Sequence, residues 1–262
     1  MAKEQLPDTI YYSDPLHDEF SIMEIHAEHI GKDYRYIRNN TFVGKLAHFF
    51  LFRIIGHPIA KLYLKIKFRH EIVGRWKVKA YKKNAIFLYG NHTQIIGDAL
   101  MPAFMVFPRS INVIVHPNNV FIPGIGKYVP LLGGLPLPGD KEAKANFDKA
   151  IELRVKQQKP IFIYPEAHLW PYYTGIRPFV SDSFLYPVYY GAPVFCFTNT
   201  YHRRGKDKVR IRTYIDGPFF PNFELGAKAA QEDLRNRVYN QMVERSSLSD
   251  FAKIKYVEKK DD

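Results

Sequence analysis

Cysteine is almost absent from this 262-residue chain, where Cys196 stands alone. No intrachain disulfide can form and a zinc site built on thiolates is excluded, so a reducing compartment suits the sequence. Long apolar runs are missing as well. No segment reaches the ~18 uncharged apolar residues needed to cross a bilayer. The opening Met1-Ala-Lys-Glu-Gln-Leu has no apolar stretch of the signal-peptide kind, and no lipidation motif is present. A place on the cytoplasmic side is the expectation. No zinc finger, helix-turn-helix or aromatic-basic RNA-binding block is found, so no nucleic-acid partner is expected.

What the chain does hold is positive charge, unevenly placed. Lys and Arg total 38 against 26 Asp and Glu, a formal +12, which points to a polyanionic partner. Residues 1–40 carry eight acids and four bases, whereas residues 41–83 carry eleven bases and a single acid, Glu71. In "FVGKLAHFFLFRIIGHPIAKLYLKIKFRH", Phe42 to His70, six cations interrupt aromatic and aliphatic residues. The pattern suggests two amphipathic helices broken near Gly56-His57-Pro58. Such a segment lies on a membrane more readily than it spans one, with apolar side chains in the headgroup boundary and cations on anionic lipid. Packing of the same helices onto the rest of the chain is the alternative.

The expected organisation is a polar lead-in over residues 1–40, a basic amphipathic helical segment over 41–74, an α/β domain over 75–250 and a solvated tail over 251–262. Short apolar runs at "AIFLYG", "INVIVH", "IFIY" and "PVFCFTN" read as buried strands, and "VRIRTYID" alternates as an edge strand would. The residues after His92 read as a helix toward Met105. Phe147, Ala150, Ile151 and Val155 mark a helix over 141–158 that Pro160 ends, and Leu225, Ala229, Leu234, Val238 and Met242 mark another over 224–244. The Pro- and Gly-rich stretch from Val120 to Gly139 reads as an apolar-filled loop. Strands alternating with helices imply an α/β sandwich, a central largely parallel sheet flanked by helices and preceded by the membrane-contact segment. Ligands of such sheets collect at the carboxyl ends of the strands, where Asn91-His92 and the residues after Tyr164 would sit.

"LYGNHTQIIGDAL", Leu88 to Leu100, is the chemically suggestive stretch. His92 and Asp98 lie too far apart around a helix to share a face inside one, so they meet only if His92 precedes the first turn and points back over it. The carboxylate would then fix the imidazole tautomer, leaving the other nitrogen to take a proton from a hydroxyl. Helix capping by Asn91-His92 is the plain alternative. His92, Asp98, His116 and Glu166 show no metal-ligand spacing, so no metal is expected. Cys196 lies inside an apolar strand and reads as an inert thiol.

Further blocks follow in order: Tyr164-Pro165-Glu166, Pro178-Phe179 and Gly191-Ala192-Pro193-Val194. With Asn91-His92 and its downstream Asp98, over about residues 75–220, they resemble the 1-acylglycerol-3-phosphate (lysophosphatidate) acyltransferases, whose blocks are NHxxxxD, a Gly-rich block ending in Arg, FPEGTRS and a V-P-I-V-P-V-like strand. The resemblance implies a membrane-associated O-acyltransferase at the cytoplasmic face of the membrane, peripheral or monotopic. It would move a fatty acyl group from coenzyme A or acyl carrier protein, as co-substrate rather than cofactor, to a lysolipid hydroxyl. It makes His92 the base, Asp98 its partner, and Asn91, Tyr164, Pro165 and Glu166 parts of the acceptor side. A catalytically inactive lipid-binding protein of the same fold is the other reading. Four departures stand out, one of them Cys196 where the fourth block usually has a second Pro. Five residues separate His92 from Asp98 instead of four; block two, Gly133 to Asp140, has no terminal Arg; block three reads Tyr-Pro-Glu-Ala-His, without the Gly or the Arg. The two missing arginines are those the family uses for the acceptor phosphate. Arg177, or Arg203 with Arg204, would have to replace them; otherwise the acceptor is another lysolipid, a glycolipid or a polyol.

Overall fold

A computed structural model describes residues 6–20, 29–206 and 208–259. Parts of the expected lead-in (1–5, 21–28) and tail (260–262) lie outside them. The central sheet has seven strands in the order β2-β8-β7-β3-β6-β4-β5. These are β2 (Glu71–Val73), β3 (Ile86–Gly90), β4 (Asn112–Val115), β5 (Gly134–Pro136), β6 (Pro160–Ile163), β7 (Val194–Arg204) and β8 (Lys208–Phe219). Strands β7, β3, β6, β4 and β5 run parallel, while β8 pairs antiparallel to β7 and carries β2 alongside. The α/β sandwich with a largely parallel sheet is therefore the observed architecture.

Every residue of β3 is buried because both faces of the sheet are covered, which is why the strand reads as an unbroken apolar run. Successive side chains alternate. Ile86 and Leu88 join Phe162, Phe195 and Phe197 beneath α2 (His57–Phe68), α3 (Arg75–Ala80) and α4 (Gly97–Val106). Phe87 and Tyr89 join Ile161, Val194 and Cys196 beneath α6 (Lys141–Lys156), α7 (Leu185–Tyr190) and α8 (Ala227–Ser246). Cys196 is fully enclosed, and burial pushes its thiol well above the ordinary range. Asp140 caps α6, its Oδ1 accepting from the Ala143 N–H at 2.6 Å. The buried row of α8 is Ala230, Leu234, Val238 and Met242; Leu225 lies before the helix and Ala229 is exposed.

Several expectations change. The basic segment does not break at Gly56-His57-Pro58. Helix α1 (Phe42–His48) continues through a π-helical stretch, Phe49–Gly56, directly into α2. The His57 N–H donates to the Phe52 carbonyl five residues back, and this wider turn lets the chain pass Pro58, which has no N–H to give, without a break. The alternating β8 is not at the edge, since β2 lies outside it. The Val120–Gly139 stretch is not all loop: it holds α5 (Val129–Leu132) and the edge strand β5. Gly133 makes that junction, at φ +105° with the Ile111 carbonyl where a side chain would be.

The chain's ends also depart from expectation. Strand β1 (Thr9–Tyr12) pairs in parallel with β9 (Lys255–Glu258), so part of the lead-in and part of the solvated tail form one two-stranded ribbon. Ile10 and Ile254 are buried beneath it. Among the described residues no helix is long and apolar enough to cross a membrane.

Candidate active site

Strand β3 ends at Gly90, and the next two residues leave the sheet in opposite roles. Asn91 is wholly buried and grips β7: its Oδ1 accepts from the Asn199 N–H at 2.8 Å and its Nδ2 donates to the Asn199 carbonyl at 3.1 Å. His92 turns outward in the loop before α4. Its Nδ1 lies 2.8 Å from Oδ2 of Asp98, a residue of the first turn of α4. The same Oδ2 accepts from the Thr93 and Gln94 N–H groups, both at 2.8 Å.

The extra residue between His92 and Asp98 is thus accommodated in the turn. Gly97 opens α4 where a Cβ would lie 2.6 Å from Met101 Cε and 2.9 Å from Gln94 Cβ, so a tight turn needs glycine there. A carboxylate can only accept, so the proton of this contact sits on Nδ1, and in the neutral ring Nε2 carries the lone pair. That nitrogen has no hydrogen-bond partner among the described residues, on a side chain 26% exposed. The tautomer and orientation are those required of a general base.

Tyr164 supports the imidazole from one side, the two rings stacked at 4.7 Å. Its hydroxyl donates to the Asp98 carbonyl at 2.6 Å, tying the end of β6 to the start of α4, and burial pushes its phenol well above the ordinary range. Pro165 follows, half-buried, after the last residue of β6.

Glu166 and Arg177, expected on the acceptor side, are both enclosed. The Glu166 carboxylate is enclosed, Oε2 accepting from the His92 N–H and Oε1 from the Arg177 N–H, each at 3.0 Å. Arg177 is 1% exposed; its guanidinium stands 3.7 Å from that carboxylate, donates to the Glu166 and His168 carbonyls, and lies 4.9 Å over the Trp170 ring. Burial pushes the Glu166 carboxyl up, while Arg177 and the two N–H donors pull it back. Both side chains are committed to holding the loop after β6 against the loop after β3. Two backbone bonds finish the junction, Trp170 N–H to the His92 carbonyl at 3.1 Å and Tyr172 N–H to the Thr93 carbonyl at 2.9 Å.

The loop is clasped from outside by the terminal ribbon. Tyr256 stacks on Trp170 at 5.0 Å and donates to the Pro171 carbonyl at 2.8 Å, while the Trp170 indole donates to the Asp18 carbonyl at 2.7 Å. The other arginines considered for an acceptor phosphate are remote. Arg203 and Arg204 lie six and seven residues beyond Phe197, the partner of Gly90, which is roughly 20 Å of strand. Arg204 donates to the Ile66 carbonyl at 2.9 Å near the end of α2. His116 accepts from the Asn118 N–H at 3.2 Å and caps a turn.

No family model and no curated protein matches the sequence. Among solved structures, the crystal structure of the 1-acyl-sn-glycerophosphate (LPA) acyltransferase PlsC from Thermotoga maritima superposes with a TM-score of 0.56 at 17% identity, covering 79% of this chain and 85% of that one. The chain shares that acyltransferase's fold. Ala167 follows Glu166 where the acyltransferase block has Gly, and its φ of +61° is one that L residues avoid. Ala167→Gly is expected to stabilise the fold by about 0.5–1 kcal/mol, raising the melting temperature by about 2 °C. Calorimetry showing a lower melting temperature would contradict this account of the turn.

Sequence reasoning missed Asn199, Thr213 and His70, which lie behind Asp98. The Asn199 Nδ2 donates to Asp98 Oδ1 at 3.4 Å, and its Oδ1 accepts from the Thr213 hydroxyl at 2.6 Å. The available signal was Asn199 itself, an amide in the middle of an apolar strand, where strands rarely carry one.

Proposed function

We propose that the protein is a membrane-associated O-acyltransferase that moves a fatty acyl group from a thioester, on coenzyme A or acyl carrier protein, to a hydroxyl of a lysolipid or related acceptor. The observation that carries this reading is the His92–Asp98 pair with Nε2 open, at the carboxyl end of a central strand in an acyltransferase fold. In the reaction, Nε2 takes the acceptor's hydroxyl proton as the oxygen attacks the thioester carbonyl. The imidazolium, balanced by Asp98, then gives that proton to the departing sulfur as the tetrahedral intermediate collapses. Ester and free thiol are the products, and the base is restored.

The acceptor in this reading carries no phosphate that needs two arginines. Leu169 occupies the block-three arginine position and is buried, Asp140 ends block two as a helix cap, and Arg177 is enclosed. Neutral lysolipids, glycolipids or polyols fit such a site better than lysophosphatidate. The deciding experiment measures product formation by purified protein with acyl-coenzyme A and acyl carrier protein donors against those acceptors and lysophosphatidate, with His92→Ala as control. Equal or faster turnover of lysophosphatidate would sink the acceptor assignment; no product from any pair would favour the inactive lipid-binding reading.

Membrane contact falls to the helical segment from Phe42 to Phe68. Phe42, Leu46, Phe50, Ile55, Ile59 and Leu62 are each at least half exposed or nearly so along it. Lys45, Lys61 and Lys65 form no ion pair among the described residues, leaving them for anionic headgroups, whereas Arg53 donates to the Pro108 carbonyl. Ile59→Glu with Leu62→Glu is expected to weaken sedimentation with anionic vesicles at least ~10-fold while leaving the melting temperature unchanged. Undiminished vesicle binding by that variant would place the contact elsewhere.

A further inference from the structure

The carboxylate that holds His92 is itself held by a chain of neutral side chains. Asp98 Oδ2 is occupied by His92, Thr93 and Gln94, and Oδ1 meets Asn199 Nδ2 at 3.4 Å. Asn199 cannot shift easily: its main chain is bracketed on both sides by the Asn91 amide, and it is completely buried. Its Oδ1 accepts from the Thr213 hydroxyl at 2.6 Å, and the Thr213 oxygen lies 2.8 Å from His70 Nε2.

The direction of every bond follows from counting protons. A hydroxyl has one proton, and Thr213 gives it to Asn199, whose oxygen has none to offer. Toward His70 the hydroxyl can therefore only accept, so His70 carries its proton on Nε2. Burial lowers the His70 pKa to about 4, so near neutral pH the imidazole is an uncharged donor. The carboxylate can only accept, so Asn199 must aim its NH2 at Asp98 and its Oδ1 at Thr213; a flipped amide would set oxygen against carboxylate.

We propose that Thr213, Asn199 and His70 are positioning residues for the acid–base pair, acting as an oriented donor chain that fixes Asp98 and through it the His92 ring. The inference rests on His92 being the base. Each link crosses between elements: His70 follows α2, Thr213 lies on β8, Asn199 on β7 and Asp98 on α4. The chain thus sets the carboxylate relative to the sheet itself, where Thr93 and Gln94 fix it only to its own loop.

Thr213→Val removes the hydroxyl while keeping shape, and Thr213→Ser restores it. With the best donor and acceptor from the panel, Thr213→Val is expected to lower kcat about 10-fold, the low end of what loss of an outer hydrogen-bond partner costs at metal-bound histidines, with KM values within twofold. The acid limb of its pH–rate profile moves to lower pH, because a loosened carboxylate stabilises the imidazolium less. Thr213→Ser recovers both. Unchanged kcat and acid limb in a folded Thr213→Val protein would overturn the proposal. A second readout does not need turnover: the low-field proton resonance of His92 Nδ1–H, assigned by its loss in His92→Ala, is expected to broaden or shift in Thr213→Val and return in Thr213→Ser. An unperturbed resonance counts against the chain even if no acyl transfer is found. If Thr213→Val fails to fold, His70→Phe cuts the same chain one link earlier and His70→Gln offers a replacement donor, with the same expected pattern.

Discussion

Replacing His92 by Ala is expected to lower acyl transfer by ~10²–10⁴-fold, the range that a positioned base contributes, while the protein folds as before. The second half of that expectation comes from what the substitution leaves behind. Asp98 keeps the Thr93 and Gln94 N–H groups on one oxygen and Asn199 on the other, so no buried carboxylate is stranded. The His92 main chain keeps its bonds to Glu166 and Trp170. Stability is expected to fall by no more than about 1 kcal/mol. Steady-state turnover beside a thermal melt decides the matter. A variant that still transfers acyl groups at the original rate removes His92 from the chemistry; one that unfolds contradicts the account of what holds Asp98 and the His92 main chain in place.

Glu166→Gln should do the reverse, costing stability first. An enclosed guanidinium at 3.7 Å loses its counter-charge, and one of the two N–H groups facing the carboxylate meets an amide NH2 instead of an acceptor. Breaking a buried pair from one side costs about 3–5 kcal/mol, or roughly 10 °C in melting temperature for a chain of this size. Arg177→Met is expected to fall less far, since it leaves the carboxylate two backbone donors. Were Glu166 an acceptor contact at an open surface, the thermal melt of Glu166→Gln would match the wild type and only KM would rise. The geometry makes this Glu a brace, and thermal unfolding tells the two roles apart.

The difference between those residues shows what a sequence can carry. His92 and Asp98 are six positions apart, and their meeting depends only on a loop running into a helix, a local event that residue spacing encodes. The parallel core strands were legible for a similar reason: burial on both faces leaves an apolar run. Glu166 and His92 are 74 positions apart, and nothing in Tyr-Pro-Glu says that the carboxylate reaches back to a backbone N–H of another loop. The short strands β2 and β5 have three residues each and show no period to read. The π-helical passage at Pro58 was hidden because Gly and Pro ordinarily mark a break, and only the register of the surrounding helix decides whether the chain bends or slips by one residue. Asn199, a polar residue inside an apolar strand, was the one long-range signal that could have been followed.

The ribbon of β1 and β9 bears on when the site comes into being. Thr9 pairs with Lys255, so this contact closes a loop of 246 positions (255 minus 9), nearly the full chain. Such a closure carries a larger entropy cost than a local one. The sheet and the His92–Asp98 turn need only residues made earlier, whereas the clasp over Trp170 waits for residues 255–258 to leave the ribosome. A nascent chain would hold its acid–base pair in place with the loop above it still unfastened until the strand at residues 255–258 fastens it.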